Sequence, residues 1–208
     1  MTPGRLADAI ELGGRAAKLL ERHGARENRL FTAVTAGEAS GTLVLTSEYE
    51  DMEAYGTAAD ELSADVELQR LTEEARGPKS PVTIASQSVM SELPLDRVGN
   101  AARSNYVEVH LFRPTPGRME DLLESTRRCA DFVESKGASN ARLATMVLAG
   151  EMSNALVLSW ELPTMRAYGA LSEAWNVDPD GLALFADFVG PNPSSTEIFS
   201  GLYAAIPL

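Results

Sequence analysis

Obvious catalytic side chains are few in these 208 residues: there are two histidines, His23 and His110, and one cysteine, Cys129. The sequence has no glycine-rich phosphate loop and no His/Cys/carboxylate cluster at metal-ligand spacing, so it implies neither a metal nor a cofactor. Gly13-Gly14 falls inside a helical stripe and is not a phosphate loop. His110 stands in the run Tyr106-Val107-Glu108-Val109-His110-Leu111-Phe112. Its strict alternation predicts a β-strand with Tyr106, Glu108, His110 and Phe112 on one face and Val107, Val109 and Leu111 on the other. If the aliphatic face packs on helices, the polar face turns inward. There His110 is a candidate general base and Glu108 its orienting partner, with Tyr106 and Phe112 lining a substrate pocket. The competing reading is a histidine satisfied by a polar neighbour or lying on a solvated sheet face.

The other candidates are weaker. His23 ends a helix beside Gly24, where the helix dipole alone accounts for a cation. Trp160 either lines an apolar pocket or fills the core with its N–H on a neighbour. Arg142 is a candidate for a ligand carboxylate, and Glu48 and Glu161 could meet as paired carboxylates inside a barrel; for all three the favoured reading is a solvated side chain. Cys129 has Ala16 at its corresponding position and reads as a small buried residue. A single cysteine fits a reducing, cytoplasmic setting.

The elements that must position these residues occur twice. Residues 3–95 and 116–208 align without a gap at an offset of 113, with 33 of 93 positions identical. Pro3-Gly4-Arg5 matches Pro116-Gly117-Arg118, Leu43-Val44-Leu45 matches Leu156-Val157-Leu158, and Ala54-Tyr55-Gly56 matches Ala167-Tyr168-Gly169. In each copy apolar positions at alternating steps of four and three predict a helix: Leu6, Ile10, Gly13, Ala17 and Leu20, then Met119, Leu123, Thr126, Ala130 and Val133. Gly24 and Gly137 suit its left-handed C-cap. A hairpin follows, from Arg29 to Glu48 and from Arg142 to Glu161. The next helix opens at Glu50, Asp51 and Glu53 or at Pro163, breaks at Asp65 or Asp178-Pro179, and runs on to Gly77-Pro78 or Gly190-Pro191. Gly56 and Gly169, inside it, suggest close backbone approach to the sheet. A last strand ends at Leu95 or Leu208. Trp160 and Trp175 replace Ser47 and Leu62, so both tryptophans belong to the second copy alone, as befits a site used once.

With the strand at Tyr106, the second copy reads strand-helix-strand-strand-helix-strand, the βαββαβ order of a ferredoxin-like unit. Thr115-Pro116-Gly117-Arg118 opening the helix, and a hairpin ending in Ser159-Trp160-Glu161, resemble the dimeric α/β-barrel superfamily. That group includes NIPSNAP-like proteins, antibiotic-biosynthesis monooxygenases, EthD-like proteins and the chlorite dismutase group. The resemblance implies an α+β fold of two tandem ferredoxin-like repeats, residues 1–95 and 105–208 joined by a linker at 96–104. Their sheets would face each other as an intramolecular dimeric α/β barrel. The first repeat lacks its N-terminal strand, since only Met1 and Thr2 precede Pro3. A start upstream of Met1, a partner chain or direct pairing of the flanking strands would fill the gap.

The resemblance further implies a small-molecule enzyme performing cofactor-independent monooxygenation or isomerisation on an apolar organic compound, with Trp160 and Tyr106 shaping the pocket. The alternative is a non-catalytic ligand-binding or stress-associated NIPSNAP-like protein. Haem chemistry ranks last, because neither histidine suits an axial ligand. A net charge of −12 and a pI near 4.6 disfavour nucleic acid and anionic membranes as partners. No apolar run reaches the length of a membrane span, so a small apolar ligand and a homodimer are the partners left open.

Overall fold

The computed structural model describes residues 4–95 and 102–208. Most of the expected linker therefore lies outside the described residues, as does the expected gap before Pro3. The described chain is α+β, with six α-helices and seven strands: α1 (Leu6–Arg22), β1 (Glu27–Thr35), β2 (Leu43–Glu48), α2 (Met52–Ser63), α3 (Val66–Arg76), β3 (Val89–Leu93), β4 (Tyr106–Pro114), α4 (Met119–Ser135), β5 (Ser139–Leu148), β6 (Leu156–Leu162), α5 (Met165–Val177), α6 (Pro179–Val189) and β7 (Ser195–Ile206). Moving α1 and α3 along by 113 residues lands on the bounds of α4 and α6.

Two compact units are present. One runs to Ala33 and adds Glu38–Gln87 and Ala205–Leu208; the other comprises Val34–Gly37 and Ser88–Ala204. In the first unit β1 and β2 form an antiparallel hairpin in unbroken register from Glu27↔Glu48 to Thr32↔Leu43. Leu12 and Leu19 of α1 pack with Leu62 and Leu71 of α2 and α3. In the second unit the strand order is β7-β4-β6-β5-β3, every pairing antiparallel. Strand β3 hydrogen-bonds along β5, with Leu93 opposite Leu143.

Local chemistry explains the boundaries. Asp51 caps α2 by accepting from Ala54 N–H at 2.8 Å, and Thr164 caps α5 by accepting from Ala167 N–H at 3.1 Å. Asp65 and Asp178 end one helix and cap the next, accepting from Glu67 and Asp180 N–H. Gly24 and Gly137 take φ of 88° and 94°, the left-handed caps expected of them. A cation bridges to the capping aspartate in both copies: His23 to Asp65 at 2.9 Å, and Lys136 to Asp178 at 2.6 Å. Hydrogen bonding to Asp65, then to Glu61, raises the His23 pKa above its ordinary value.

Two sequence expectations need correction. The first-helix stripe is only partly the one expected: Ala17 of α1 and Thr126, Ala130 and Val133 of α4 are buried at expected positions, but α1 also buries Ala9, Leu12 and Leu19, α4 also buries Leu122, Cys129 and Phe132, and Leu6 and Met119 are exposed. Spacing alone left neighbouring stripes nearly equivalent, and the packing partners decided between them. Gly56 and Gly169 make no close approach, because a Cβ at either position would meet nothing within 4 Å. Neither has positive φ, so each carries only the entropic cost of a helical glycine. Gly56→Ala and Gly169→Ala should each stabilise the protein by about 0.5–1 kcal/mol, read as a rise in thermal midpoint. A fall in either would show a packing role for the missing methyl.

Candidate functional site

Strand β4 is an interior strand of the second unit's sheet, bonded to β6 on one side and β7 on the other. Its register with β6 sets Glu108 opposite Trp160, His110 opposite Leu158 and Phe112 opposite Leu156. Directly opposed residues share a face. Phe112, Leu156, Leu158 and Trp160 belong to the core cluster formed with Leu122, Cys129 and Val133 of α4, Leu171 of α5 and Leu184 of α6. Tyr106 packs on the same cluster. Val109 and Leu111 lie on the other face with Ala144, Met146, Val157 and Ile198.

This reverses the orientation inferred from the alternation: the face carrying Tyr106, Glu108, His110 and Phe112 is the helix side of the sheet. Both faces of β4 are apolar enough to be covered, so alternation separates them without saying which one meets the helices. Ring size decides. The rings of Tyr106, Phe112 and Trp160 join the larger helix-packed cluster, while the opposite face is built of aliphatic side chains.

On that face His110 sits in a compact set of contacts. Its ring stacks on Trp160 at 4.8 Å and 24°, and lies 6.1 Å from the Phe112 ring at 9°. Phe112 in turn stacks on Phe188 of α6 at 5.2 Å. Trp160 is 2% exposed and donates its Nε1–H to Glu108 Oε2 at 2.9 Å. The other Glu108 oxygen, Oε1, stands 3.4 Å from His110 Nε2. On the opposite edge of the ring, His110 Nδ1 is 2.5 Å from Glu197 Oε1. Nε2 is sealed from solvent, and Glu108 stands farther from it than Glu197 stands from Nδ1, so by distance Glu197 is the tighter partner.

The protonation of this set follows from those contacts. Burial pulls the His110 pKa down, but the two carboxylates outweigh it and raise the value from 6.5 to about 9. His110 is therefore an imidazolium at neutral pH. The two carboxylates thus hold the proton on His110 more firmly than a free imidazole holds its own.

Glu197 was not among the residues singled out from sequence, and a β-bulge is the reason. Two residues beyond the Ser200 that faces His110, regular pairing would set Ile198 opposite Phe112. A register shift between Leu111 and Phe112 sets Glu197 there instead, which brings its carboxylate to the helix side and sends Ile198 to the aliphatic face. The available signal was asymmetry between the copies, since the residue 113 positions earlier is the exposed Ile84.

The remaining candidates lie elsewhere. Arg142 stands opposite Ser159, one register position from the Leu143 and Leu158 pair of the core face, and clasps Glu92 of β3 through Nε at 3.0 Å and Nη2 at 2.8 Å. That cross-strand ion pair keeps Glu92 well ionised, holding its pKa below the usual carboxylate value. Glu161, expected to be solvated, is 3% exposed; it accepts from Ser104 N–H at 2.6 Å and Arg103 Nη1 at 3.2 Å, pinning the segment that leads into β4. Among the described residues no group of three His, Cys, Asp or Glu side chains is arranged to hold a metal ion. An open surface depression of about 810 Å³ between α4 and α6 is lined by Arg118, Asp121, Arg128, Asp187 and Ser194, among others, and by none of the candidate catalytic or substrate-binding residues. No helix among the described residues is long and apolar enough to cross a membrane.

No family model matches the chain, and no curated protein matches it. Among solved structures, one titled as a crystal structure study of an anthrone oxidase-like protein resembles it with a TM-score of 0.64 at 15% identity, covering 99% of this chain and 87% of that one. At that identity the likeness is one of fold alone.

Proposed function

We propose that this chain is a small-molecule enzyme of the oxidase type, acting without a cofactor on an apolar aromatic ketone or phenol. The observation that carries the reading is the Glu108–His110–Glu197 set on Trp160, a fixed buried charge beside aromatic rings. Ion pairs in such surroundings are costly to keep, and sites that do chemistry are where such costs recur. The anthrone oxidase-like neighbour supports the class of reaction. We also read residues 1–95 and 105–208 as ferredoxin-like repeats of the dimeric α/β-barrel type. The βαββαβ order of β4 through β7, and the seating of β3 on β5, support that reading.

Glu197 is the open member of the set, with a side chain 43% exposed against 19% for His110 and 16% for Glu108. In this reading Glu197 meets the ligand and takes its acidic proton. The His110 imidazolium offsets the negative charge that develops on the substrate, and Glu108 with Trp160 holds the ring in place. Oxidation of an anthrone then consumes one dioxygen: one oxygen atom becomes the new carbonyl and the other leaves as water. Dioxygen uptake with an anthrone as substrate is the test. Turnover is expected, with a loss of about 100-fold or more in Glu197→Gln, the usual cost of removing a general base.

A non-catalytic ligand holder is the second reading, and the sealing of His110 Nε2 favours it. Absence of dioxygen uptake, together with an aromatic compound retained through purification and found by mass spectrometry, would decide for the holder.

A further inference from the structure

The first copy carries a histidine where the second carries a lysine, and the difference falls at a helix junction. His23 closes α1 as its C-cap, and at the offset of 113 it aligns with Lys136, which closes α4. Lys136 pairs with Asp178. His23 meets two carboxylates: Nδ1 lies 3.0 Å from Glu61 Oε2 in the last turn of α2, and Nε2 lies 2.9 Å from Oδ2 of Asp65, whose Oδ1 caps α3. Glu61 aligns with Ala174, so the second carboxylate belongs to the first copy alone. The ring is 17% exposed, less than either carboxylate.

An imidazolium donates from both nitrogens, so one protonated ring holds both carboxylates at once. A neutral imidazole keeps a single N–H and turns a lone pair to its other side. One of the two carboxylates then faces that lone pair and is repelled. His23 stands at the C-terminus of α1 and touches the last turn of α2, so both helix dipoles favour the charged ring as well. Hydrogen bonding to Asp65, then to Glu61, raises its pKa above 6.5. The charges beside the ring do not titrate with it: Arg22 of α1 pairs with Glu67 of α3, and Arg26 with Glu50 ahead of α2, through guanidinium groups that remain charged in proteins. An ammonium keeps its charge far above the pH at which an imidazole loses its own, so the Lys136 contact outlasts those of His23.

The geometry points to a pH-operated clasp in the first unit. With its proton on, His23 ties the end of α1 to α2 through Glu61 and to the cap of α3 through Asp65; on losing that proton it lets go of one carboxylate and loosens the α2–α3 corner. Leu62 and Leu71 flank Asp65 in the chain and pack with Leu12 and Leu19 of α1, so release at the corner opens the small core of the first unit. A folded-state pKa above the ordinary value makes the tie complete below pH 6.5, and the tie disappears as pH rises through the raised value. Lys136 gives the matching corner of the second unit no such dependence.

Protection factors from amide hydrogen exchange of the full chain, measured by NMR, read the corner directly. Asp65 N–H donates to Leu62 C=O and Gln69 N–H to Asp65 C=O, so both report its opening. Between about pH 6 and about pH 8.5 their protection should fall in the wild-type chain by about threefold or more beyond any fall in His23→Lys, which carries the residue of the other copy. Glu61→Gln, which leaves the Asp65 cap in place, should shrink that excess. The counterpart amides, Asp178 N–H on Ala174 C=O and Leu182 N–H on Asp178 C=O, should show no excess. Equal falls in the wild-type and His23→Lys chains overturn the clasp, and so does an excess undiminished in Glu61→Gln. An excess that extends equally to Asp178 and Leu182 overturns it too, because the whole chain then opens rather than one corner.

Discussion

Replacing His110 with glutamine should flatten the alkaline limb of this protein's stability profile. In the folded chain His110 binds its proton more tightly than in the unfolded one, with a pKa near 9 against an ordinary 6.5. A raised pKa stabilises the fold fully below pH 6.5, and the contribution disappears as pH rises through 9. The shift corresponds to about 3 kcal/mol, and the exposure of Glu197 lowers the realised value to about 2–3 kcal/mol through solvent screening. His23 contributes a loss of the same sign in both proteins, so the difference between them isolates His110. Both tryptophans lie in the second unit, so tryptophan fluorescence during urea denaturation reports the part that holds the site. The wild-type chain should lose that increment between about pH 6 and pH 9.5, and His110→Gln should not. Parallel profiles for the two proteins would mean that the carboxylates do not hold the proton on the ring.

Trp160 should be the most costly side chain of the site to remove. It is buried to 2% exposure, stacks on His110 and donates to Glu108, so Trp160→Ala takes away packing, a ring contact and a hydrogen bond together. A loss of about 3–5 kcal/mol is expected, the usual range for a large aromatic cut to alanine in a core. Trp160→Phe separates the parts: it keeps a ring against the imidazole but orphans Glu108 Oε2, at a cost of about 1–3 kcal/mol. Equal losses for the two variants would place the whole effect in the N–H donor. A negligible loss in Trp160→Phe would place it in packing.

The two experiments bear on function as well as stability. Trp160 and Glu197 fix the ring of His110 from its face and its edge, and a site that works by a preset charge depends on that rigidity. A variant that keeps the fold but frees the ring should lose the alkaline transition before it loses stability at neutral pH.

Much of this molecule was legible in its sequence. The offset of 113 fixed the order of the elements, because identical local patterns obey the same propensities wherever they stand. Gly24, Gly137, Asp51, Asp65 and Asp178 act at helix ends through contacts within a few residues. Alternation in Tyr106–Phe112 set Glu108 and His110 on one face, since the strand period of two is a property of the backbone itself. The asymmetry of the tryptophans picked out Trp160.

What the sequence left open depended on contacts between distant segments. Alternation has no sign, so only packing against α4, α5 and α6 decided that the His110 face is the helix side. A bulge shifts register by one residue without altering composition, and that shift alone delivered Glu197 to His110. Arg142 looked available until β3 settled on β5 and supplied Glu92. The protonation of His110 likewise belongs to the tertiary structure, because a pKa near 9 arises only when carboxylates from β4 and β7, 89 residues apart in the chain, flank one imidazole.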